Sequence, residues 1–319
     1  MGILIIWLFV RQLTPKQEQE IFASFAKANY WWLIPVLIVW FLSHLFRSIR
    51  WNMMLHPMGY SPKLHNTVMA VLIGYFANLA LPRLGEVSRC TILTKYENIP
   101  FSKSFGTVVT ERAFDVLVFI VLFFAILATQ FDRIHNYVDQ RVYKPLSEKF
   151  NIENLSFHLI LFSLIFCIFL IVLYFVFRKK LLKWKLYIKI VEQVRHFFSG
   201  LKSIFKLKNP FLFLLYSALI WICYLLMTWF CFFCFADTSN LSLSPAFDVM
   251  VFGAVGFMVV QGGIGLYPVI VAETLTLFGV VETTGYALGW LNWSAQTLLF
   301  IILGIVSLLI LPIINKNKV

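Results

Sequence analysis

The sequence has few charged residues. Only 13% of its 319 residues are Asp, Glu, Lys or Arg, about half the share found in soluble domains. So little charge cannot cover the surface of a water-soluble globule, and 60% of the residues are hydrophobic. Long apolar runs occur at residues 31–42, 116–129 and 157–177, and a bilayer-spanning helix needs roughly 20 mostly apolar residues. The composition therefore excludes an ordinary soluble domain and predicts an integral membrane protein.

The usual markers of a catalytic or metal site are also missing. The six His and five Cys show no metal-ligand spacing, and no phosphate-loop glycine pattern or Ser/His/Asp set is present. Cys231 and Cys234 have the spacing of a redox or metal pair, but they lie in an apolar run and are expected to be free buried thiols. We therefore expect no cofactor and no bound metal, and we expect that the protein is not an enzyme.

Acidic residues are scarce, and the 27 basic residues give a formal net charge of +12. Ten Lys or Arg but only one acid, Glu192, fall within residues 178–208, where apolar residues are interleaved. This pattern predicts a basic amphipathic helix on an anionic lipid surface. The alternative is a plain cytoplasmic loop that follows the positive-inside rule. We do not expect nucleic acid as a partner.

The C-terminal half contains two apolar runs on either side of a broken one. With the basic segment in the cytoplasm, residues 211–235 run outward and residues 288–312 return. Residues 249–287 must then start and finish outside, and their apolar stretch, 249–281, is interrupted by Gln261-Gly-Gly-Ile-Gly265. Two full spans would need roughly 40 apolar residues, so a re-entrant hairpin fits better.

The N-terminal half has the same plan in the opposite orientation. Residues 31–49 have Arg47 near their C-terminal end and Arg50 directly after it, which places that end inside. Residues 113–130 run outward, and residues 156–177 return to the basic segment.

A second broken segment, residues 66–96, lies between the first two of these spans, with its break at 81–86. Repeat one, about 31–130, and repeat two, about 211–312, are thus predicted to form an inverted repeat of the kind found in transporters. Counting a short first helix, we expect an all-α membrane protein with about six transmembrane helices plus two re-entrant helical hairpins. Residues 1–319 are expected to form a single membrane domain with both termini cytoplasmic. Residues 12–29 are expected to form an amphipathic helix outside.

The first polar cluster lies at the first break. Pro82 and Gly85 suit the end of one helix and the start of the next, and a helix start attracts anions. Arg83 adds a forked donor for phosphate, while Glu86 and Arg89 lie three residues apart on one helix face. The alternative is a cytoplasmic turn with interfacial charges. Candidate binding residues here are Asn78, Arg83, Glu86 and Arg89.

The second cluster, Glu111, Arg112 and Asp115, lies at the start of a predicted span. Acids there could simply complement the helix dipole. The functional interpretation pairs them with Arg83 or Arg89 to form a gate or a head-group site.

The third cluster follows the second break. Its glycines allow close backbone approach and left-handed geometry, although tight packing alone could explain them. An acid inside an apolar arm needs a partner. The candidate residues are Gln261, Gly262, Gly263, Gly265 and Glu273.

Three motifs resemble the flippase-like domain of the lysylphosphatidylglycerol synthase/flippase family, which also includes archaeal glycosylation-linked membrane proteins. The resemblance covers nearly the whole chain. Gln261 and Pro268 depart from the family pattern, which commonly has Pro and Glu at these positions. The motifs are Asn78-x-x-x-Pro82-Arg83-Leu-Gly85-Glu86-x-x-Arg89, Glu111-Arg112-x-x-Asp115 and Gly262-Gly263-Ile-Gly265.

The resemblance implies a lipid transporter or flippase that binds and translocates an anionic or zwitterionic phospholipid. In two-part members a soluble domain attaches an amino acid to phosphatidylglycerol, and no such domain is expected here. The family also implies a bacterial-type inner membrane, and a homo-oligomer is left open. Two alternatives are a secondary transporter of a small soluble solute and a non-catalytic membrane partner of a lipid-modifying enzyme.

Overall fold

In the part of the chain that the structure describes, all regular secondary structure is helical. A computed structural model describes residues 11, 13–145, 204 and 207–316. The expected short first helix, the expected span at 156–177 and almost all of the basic segment 178–208 lie outside these residues. The helices are α1 Pro15–Lys27, α2 Leu33–Leu55, α3 Leu64–Ala80, α4 Leu84–Glu97, α5 Phe101–Thr129, α6 Phe131–Val138, α7 Pro210–Phe232, α8 Leu243–Val259, α9 Leu266–Thr276 and α10 Glu282–Ile314.

Four of these helices are long and apolar enough to cross a bilayer. Helices α5 and α10 begin at Phe101 and Glu282, earlier than the predicted starts at 113 and 288. Hydropathy marks where the apolar run begins, whereas backbone hydrogen bonding carries the helix on into polar sequence. The candidate spans are Tyr30–Met58, which contains α2, Phe101–Thr129, Pro210–Phe232 and Glu282–Ile314.

Helices α3 and α4 pack against each other on either side of the first break. Helix α3 ends at Ala80 and α4 begins at Leu84, as the motif predicts. Gly74 and Gly85 form the closest approach, because a Cβ on Gly85 would overlap the Gly74 carbonyl oxygen and lie 2.6 Å from Asn78 Nδ2. The Asn78 side chain also accepts a 2.7 Å hydrogen bond from the backbone N–H of Gly85, which fixes the turn.

Helices α8 and α9 form the corresponding pair around the second break. Gly262, Gly263 and Gly265 there have φ values of 66°, 69° and 76°, a left-handed backbone that other residues rarely adopt. Gly253 leaves room for the ring of Tyr267, since a Cβ at that position would lie 2.6 Å from Cε2. The glycines predicted to break this segment thus form the turn, whereas Gly253, outside the predicted break, serves the packing.

The chain divides into two compact units, one of residues 1–123 and 203–319, the other of residues 124–202. The core of the first unit is apolar and includes Trp40, Phe232 and Leu288. Helix α1 packs on α10 within that unit. The described part of the second unit holds the end of α5, helix α6 and a short π-helical turn.

Candidate functional site

Two carboxylates on α5 and two arginines on α2 form a buried ion-pair network. Arg47 Nη1 lies 2.7 Å from Glu111 Oε1 and 3.0 Å from Asp115 Oδ2. Arg50 Nη2 lies 3.3 Å from Glu111 Oε1, and its Nη1 lies 2.8 Å from Asp115 Oδ1. The side chains of Arg50 and Glu111 are completely buried. Burying a charge costs free energy unless an opposite charge compensates it. Each of these two arginines contacts both carboxylates.

A third arginine joins the network from the first hairpin. Arg89 Nη2 donates a 3.0 Å hydrogen bond to Glu111 Oε2, and its guanidinium lies 4.7 Å from the ring centroid of Trp51. The predicted contact between Glu111 and Arg89 is therefore present. Three guanidinium groups hold this one carboxylate, which ties α4 and α2 to the same point on α5.

Sequence reasoning missed Arg47 and Arg50 as members of the site. It used them only to orient the first span, an orientation that stays a prediction, and it did not anticipate that both are buried and paired. The signal was available, because α2 continues beyond Arg50 through residues 51–55, which are apolar except for Asn52. A charge inside an apolar run is by default a functional-site candidate.

Helix α7 supplies two further partners that the motifs did not indicate. Tyr224 Oη accepts a 2.9 Å hydrogen bond from Arg47 Nη2. Ser217 Oγ accepts a 3.0 Å hydrogen bond from Arg50 Nη1. The network therefore joins helices from both halves of the sequence.

A fourth arginine, Arg112, forms an ion pair beside this network, at the edge of a small pocket. Arg112 Nη2 lies 2.9 Å from Glu86 Oε1, and 43% and 20% of the two side chains are exposed. This pair is thus the accessible part of the cluster, whereas the other three arginines are buried. The pocket is lined by Val71, Gly74, Tyr75, Asn78, Gly85, Glu86, Arg89 and Arg112.

Arg83 takes a position that the motif did not indicate. It is the residue before α4, with a left-handed backbone at φ 66°, and its side chain is exposed. No ion pair joins Arg83 to Glu111 or Asp115, so of the two arginines predicted to contact these acids, Arg89 alone does so.

The second break touches the first. Gln261 Nε2 donates a 2.9 Å hydrogen bond to the carbonyl oxygen of Asn78. Trp293 Nε1, on α10, donates a 2.6 Å hydrogen bond to the carbonyl oxygen of Gly262. The structure thus brings Asn78 and Gln261 together.

The remaining candidates of the third cluster take other positions. Gly263 and Gly265 are buried in the turn, and Glu273 is half-buried on α9. Glu273 is not among the residues that line the pocket. The structure therefore separates this acid from the pocket at the first break.

The cluster has an excess of positive charge. Four arginines, Arg47, Arg50, Arg89 and Arg112, face the three carboxylates of Glu86, Glu111 and Asp115. Within the described ranges, no group of three or more His, Cys, Asp or Glu side chains could hold a metal ion. With all of these groups ionised, the cluster carries one net positive charge.

Two named proteins resemble parts of the chain. A UPF0104 membrane protein of Methanocaldococcus jannaschii is 36% identical over 98 residues, which cover 30% of this chain and 29% of that protein. Glycosyltransferase AglD of Haloferax volcanii is 31% identical over 81 residues, 25% of this chain and 13% of that protein. The matches thus span less than a third of either relative's length. No solved structure matches the chain.

The family described as the lysylphosphatidylglycerol synthase TM region matches residues 1–305. This match includes both breaks, the ion-pair network and most of the last apolar helix. Together with the four long apolar helices, it identifies a multi-pass membrane protein. The chain belongs to the lysylphosphatidylglycerol synthase TM region family.

Proposed function

We propose that this protein is a flippase-like membrane lipid transporter that binds and translocates an anionic or zwitterionic phospholipid, without catalysing a reaction. The observation that carries the proposal is the arginine-rich cluster between helices that are long enough to span a bilayer. Charged side chains within membrane-spanning segments cost free energy to insert, and those that occur commonly lie on substrate pathways. A net positive cluster beside a pocket suits a phosphate group.

The geometry divides the arginines into two groups. Arg47, Arg50 and Arg89 are committed to Glu111 and Asp115, so they hold the helices together. Arg112 is half-exposed at the pocket, and Arg83 is exposed at the break. We assign the head-group phosphate to Arg112 and Arg83, and we assign the remaining candidate residues to the walls of its path.

The proposal includes a topology. We place α3–α4 and α8–α9 as re-entrant hairpins that enter from opposite faces within inverted repeats of about 31–130 and 211–312. The hydrogen bond between Gln261 and the Asn78 carbonyl oxygen supports this arrangement, since it joins the two breaks. Inverted repeats typically place the binding site where such breaks meet.

The proposal also includes a cellular location. We place the protein in a bacterial-type inner membrane with both termini cytoplasmic. Residues 178–208 then face an anionic lipid surface, and nucleic acid is not a partner. The positive charge of that segment supports this placement.

A transport assay tests the function. The purified protein is reconstituted into liposomes that carry a phospholipid with a fluorescent acyl chain, and its movement is followed by chemical quenching of the outer leaflet. We expect transport that an Arg112→Ala substitution lowers by about tenfold or more, the effect of losing one charged hydrogen bond.

The matched control is Lys103→Ala, which removes an exposed positive charge from the same helix and leaves the rate unchanged. Transport by the Arg112→Ala variant at the wild-type rate would contradict the assignment of the site. Liposomes that show no transport with the wild-type protein would contradict the function.

A second candidate function is a non-catalytic membrane partner of a lipid-modifying enzyme. It is favoured by the names of the family and of the Haloferax relative, both of which include an enzyme. Co-purification with such an enzyme, together with no lipid movement in liposomes, would decide for this candidate.

A further inference from the structure

The pocket at the first break presents two polar atoms that have no hydrogen-bond partner among the described residues. One is the acceptor Glu86 Oε2 and the other is the donor Arg89 Nε, and both atoms are buried. Arg89 is only 3% exposed. Both residues line the pocket. A buried polar group without a partner costs free energy, so a ligand that supplies an acceptor and a donor together would satisfy both.

The other two acids of the cluster cannot supply the free acceptor. Glu111 Oε1 accepts from Arg47 and Arg50, and Oε2 accepts from Arg89. Asp115 Oδ2 accepts from Arg47 and Arg50. Its Oδ1 also has no hydrogen-bond partner in the described part of the chain, but it lies 2.8 Å from Arg50 Nη1, and Asp115 does not line the pocket. Glu86 is therefore the acid with an oxygen available at the pocket.

The pocket is lined by groups of both charges. Arg112 presents a half-exposed guanidinium, and its carboxylate partner among the described residues is Glu86 Oε1. Together with the Arg89 Nε–H, it offers donors to phosphate oxygens. Glu86 Oε2, the other oxygen of the same carboxyl group, requires an N–H or O–H group as its hydrogen-bond donor. The pocket therefore complements a group that has a phosphate and a hydrogen-bond donor a short distance from it.

On the proposed function, we infer that the substrate head group carries an N–H or O–H donor beyond its phosphate, which Glu86 Oε2 accepts. An ammonium or a hydroxyl group meets this requirement. A quaternary choline does not, because its nitrogen has no hydrogen. Glu86 is then the residue that determines head-group specificity, and Arg112 is the residue that holds the phosphate.

A binding experiment on the full-length protein in detergent separates the donor from charge and size. The first lipid series has constant acyl chains and constant zwitterionic charge: phosphatidylethanolamine, its N-methyl and N,N-dimethyl forms, and phosphatidylcholine. The second pair has one negative charge each: phosphatidylglycerol, which has hydroxyl donors, and phosphatidylmethanol, which has none. Affinities are measured for each lipid, and transport is measured separately in liposomes.

We expect affinity to fall by about tenfold between the dimethyl and choline lipids, where the last N–H is lost. A similar drop from phosphatidylglycerol to phosphatidylmethanol assigns the site to hydroxyl donors, and a drop in the amine series alone assigns it to ammonium. The inference would be overturned if the dimethyl and choline lipids bound equally well and phosphatidylglycerol and phosphatidylmethanol also bound equally well. This comparison uses the wild-type protein, so it does not depend on how a variant folds.

A Glu86→Gln variant should lose the discrimination, because the amide that replaces the free oxygen can present a donor instead. Glu18→Gln is the control, since it changes an exposed acid on α1 and should keep the wild-type pattern. Discrimination retained in Glu86→Gln would also overturn the inference. If the protein binds these lipids selectively but moves none of them, the proposed function is contradicted and the inference stands. If it moves every lipid without selectivity, the inference is contradicted and the proposed function stands.

Discussion

The side-chain amide of Gln261 donates a 2.9 Å hydrogen bond to the backbone carbonyl oxygen of Asn78, a residue 183 positions earlier. Gln261 lies in the second break, and Asn78 lies in the last turn of α3, just before the first break. Asn78 also holds the start of α4, because its side chain accepts from the Gly85 N–H. One residue thus connects the turn of the first hairpin with the turn of the second.

Replacing Gln261 with Ala should weaken the contact between the two breaks without unfolding either hairpin. The lost hydrogen bond is a single neutral one, so we expect about 0.5–1.5 kcal/mol of destabilisation. Thermal unfolding of the purified protein measures the change. Gln19→Ala removes an exposed amide from α1 and should leave the midpoint unchanged. Equal midpoints for both variants would show that the contact contributes nothing to stability.

Replacing Glu111 with Gln should be far more damaging. It leaves Arg47, Arg50 and Arg89 without their shared carboxylate, and breaking a buried ion pair on one side typically costs about 3–5 kcal/mol. We expect a large fall in folded yield and in the unfolding midpoint. A second substitution, Arg89→Met, removes one of the unpaired charges and should recover part of the loss. A single variant as stable as wild type would contradict the network.

Gly85 and Gly106 offer a matched pair of Gly→Ala substitutions. A Cβ at Gly85 would overlap the Gly74 carbonyl oxygen, whereas nothing lies within 4 Å of one at Gly106. Gly85→Ala should therefore separate α3 from α4 and destabilise the protein by roughly 1–3 kcal/mol or more. Gly106→Ala lies in a helix and should stabilise by about 0.5–1 kcal/mol. The unfolding midpoints should move in opposite directions, and a shared direction would refute the close contact.

Arg→Lys substitutions should distinguish the buried network from the open pocket. Arg47 uses two guanidinium nitrogens, one for the carboxylates and one for Tyr224, and Lys cannot reproduce that fork. Arg47→Lys should therefore destabilise by about 1.5–3 kcal/mol. Arg112→Lys alters a half-exposed pair and should change stability by less than about 1 kcal/mol. Similar losses at both positions, measured by thermal unfolding, would contradict this division.

The positions of the two breaks could be predicted from the sequence, because helix interruption is a local property. Pro82, Gly85 and the glycines at 262–265 restrict or free the backbone in their own vicinity. The all-helical class followed from composition and apolar runs, since a chain in lipid must satisfy its own backbone. These predictions needed no knowledge of which helices are neighbours.

The partners of Glu111 could be predicted only in part. Arg89 was recognised because it belongs to a motif, and the pairing is present at 3.0 Å. Arg47 lies 64 positions from Glu111, and no local pattern encodes a contact over that distance. The rule that places basic residues at the inner membrane surface gave no indication that Arg47 is buried and paired. Whether these residues bind substrate stays a prediction.

The meeting of Gly74 and Gly85 has a consequence for motion. Helices α3 and α4 approach each other there through main-chain atoms. A change of side-chain rotamer therefore cannot make room for one helix to slide along the other. The first hairpin must tilt or shift as one piece, carrying Glu86 and Arg89 with it. Any opening of a route for lipid would then have to take place around the outside of this hairpin, at its borders with neighbouring helices.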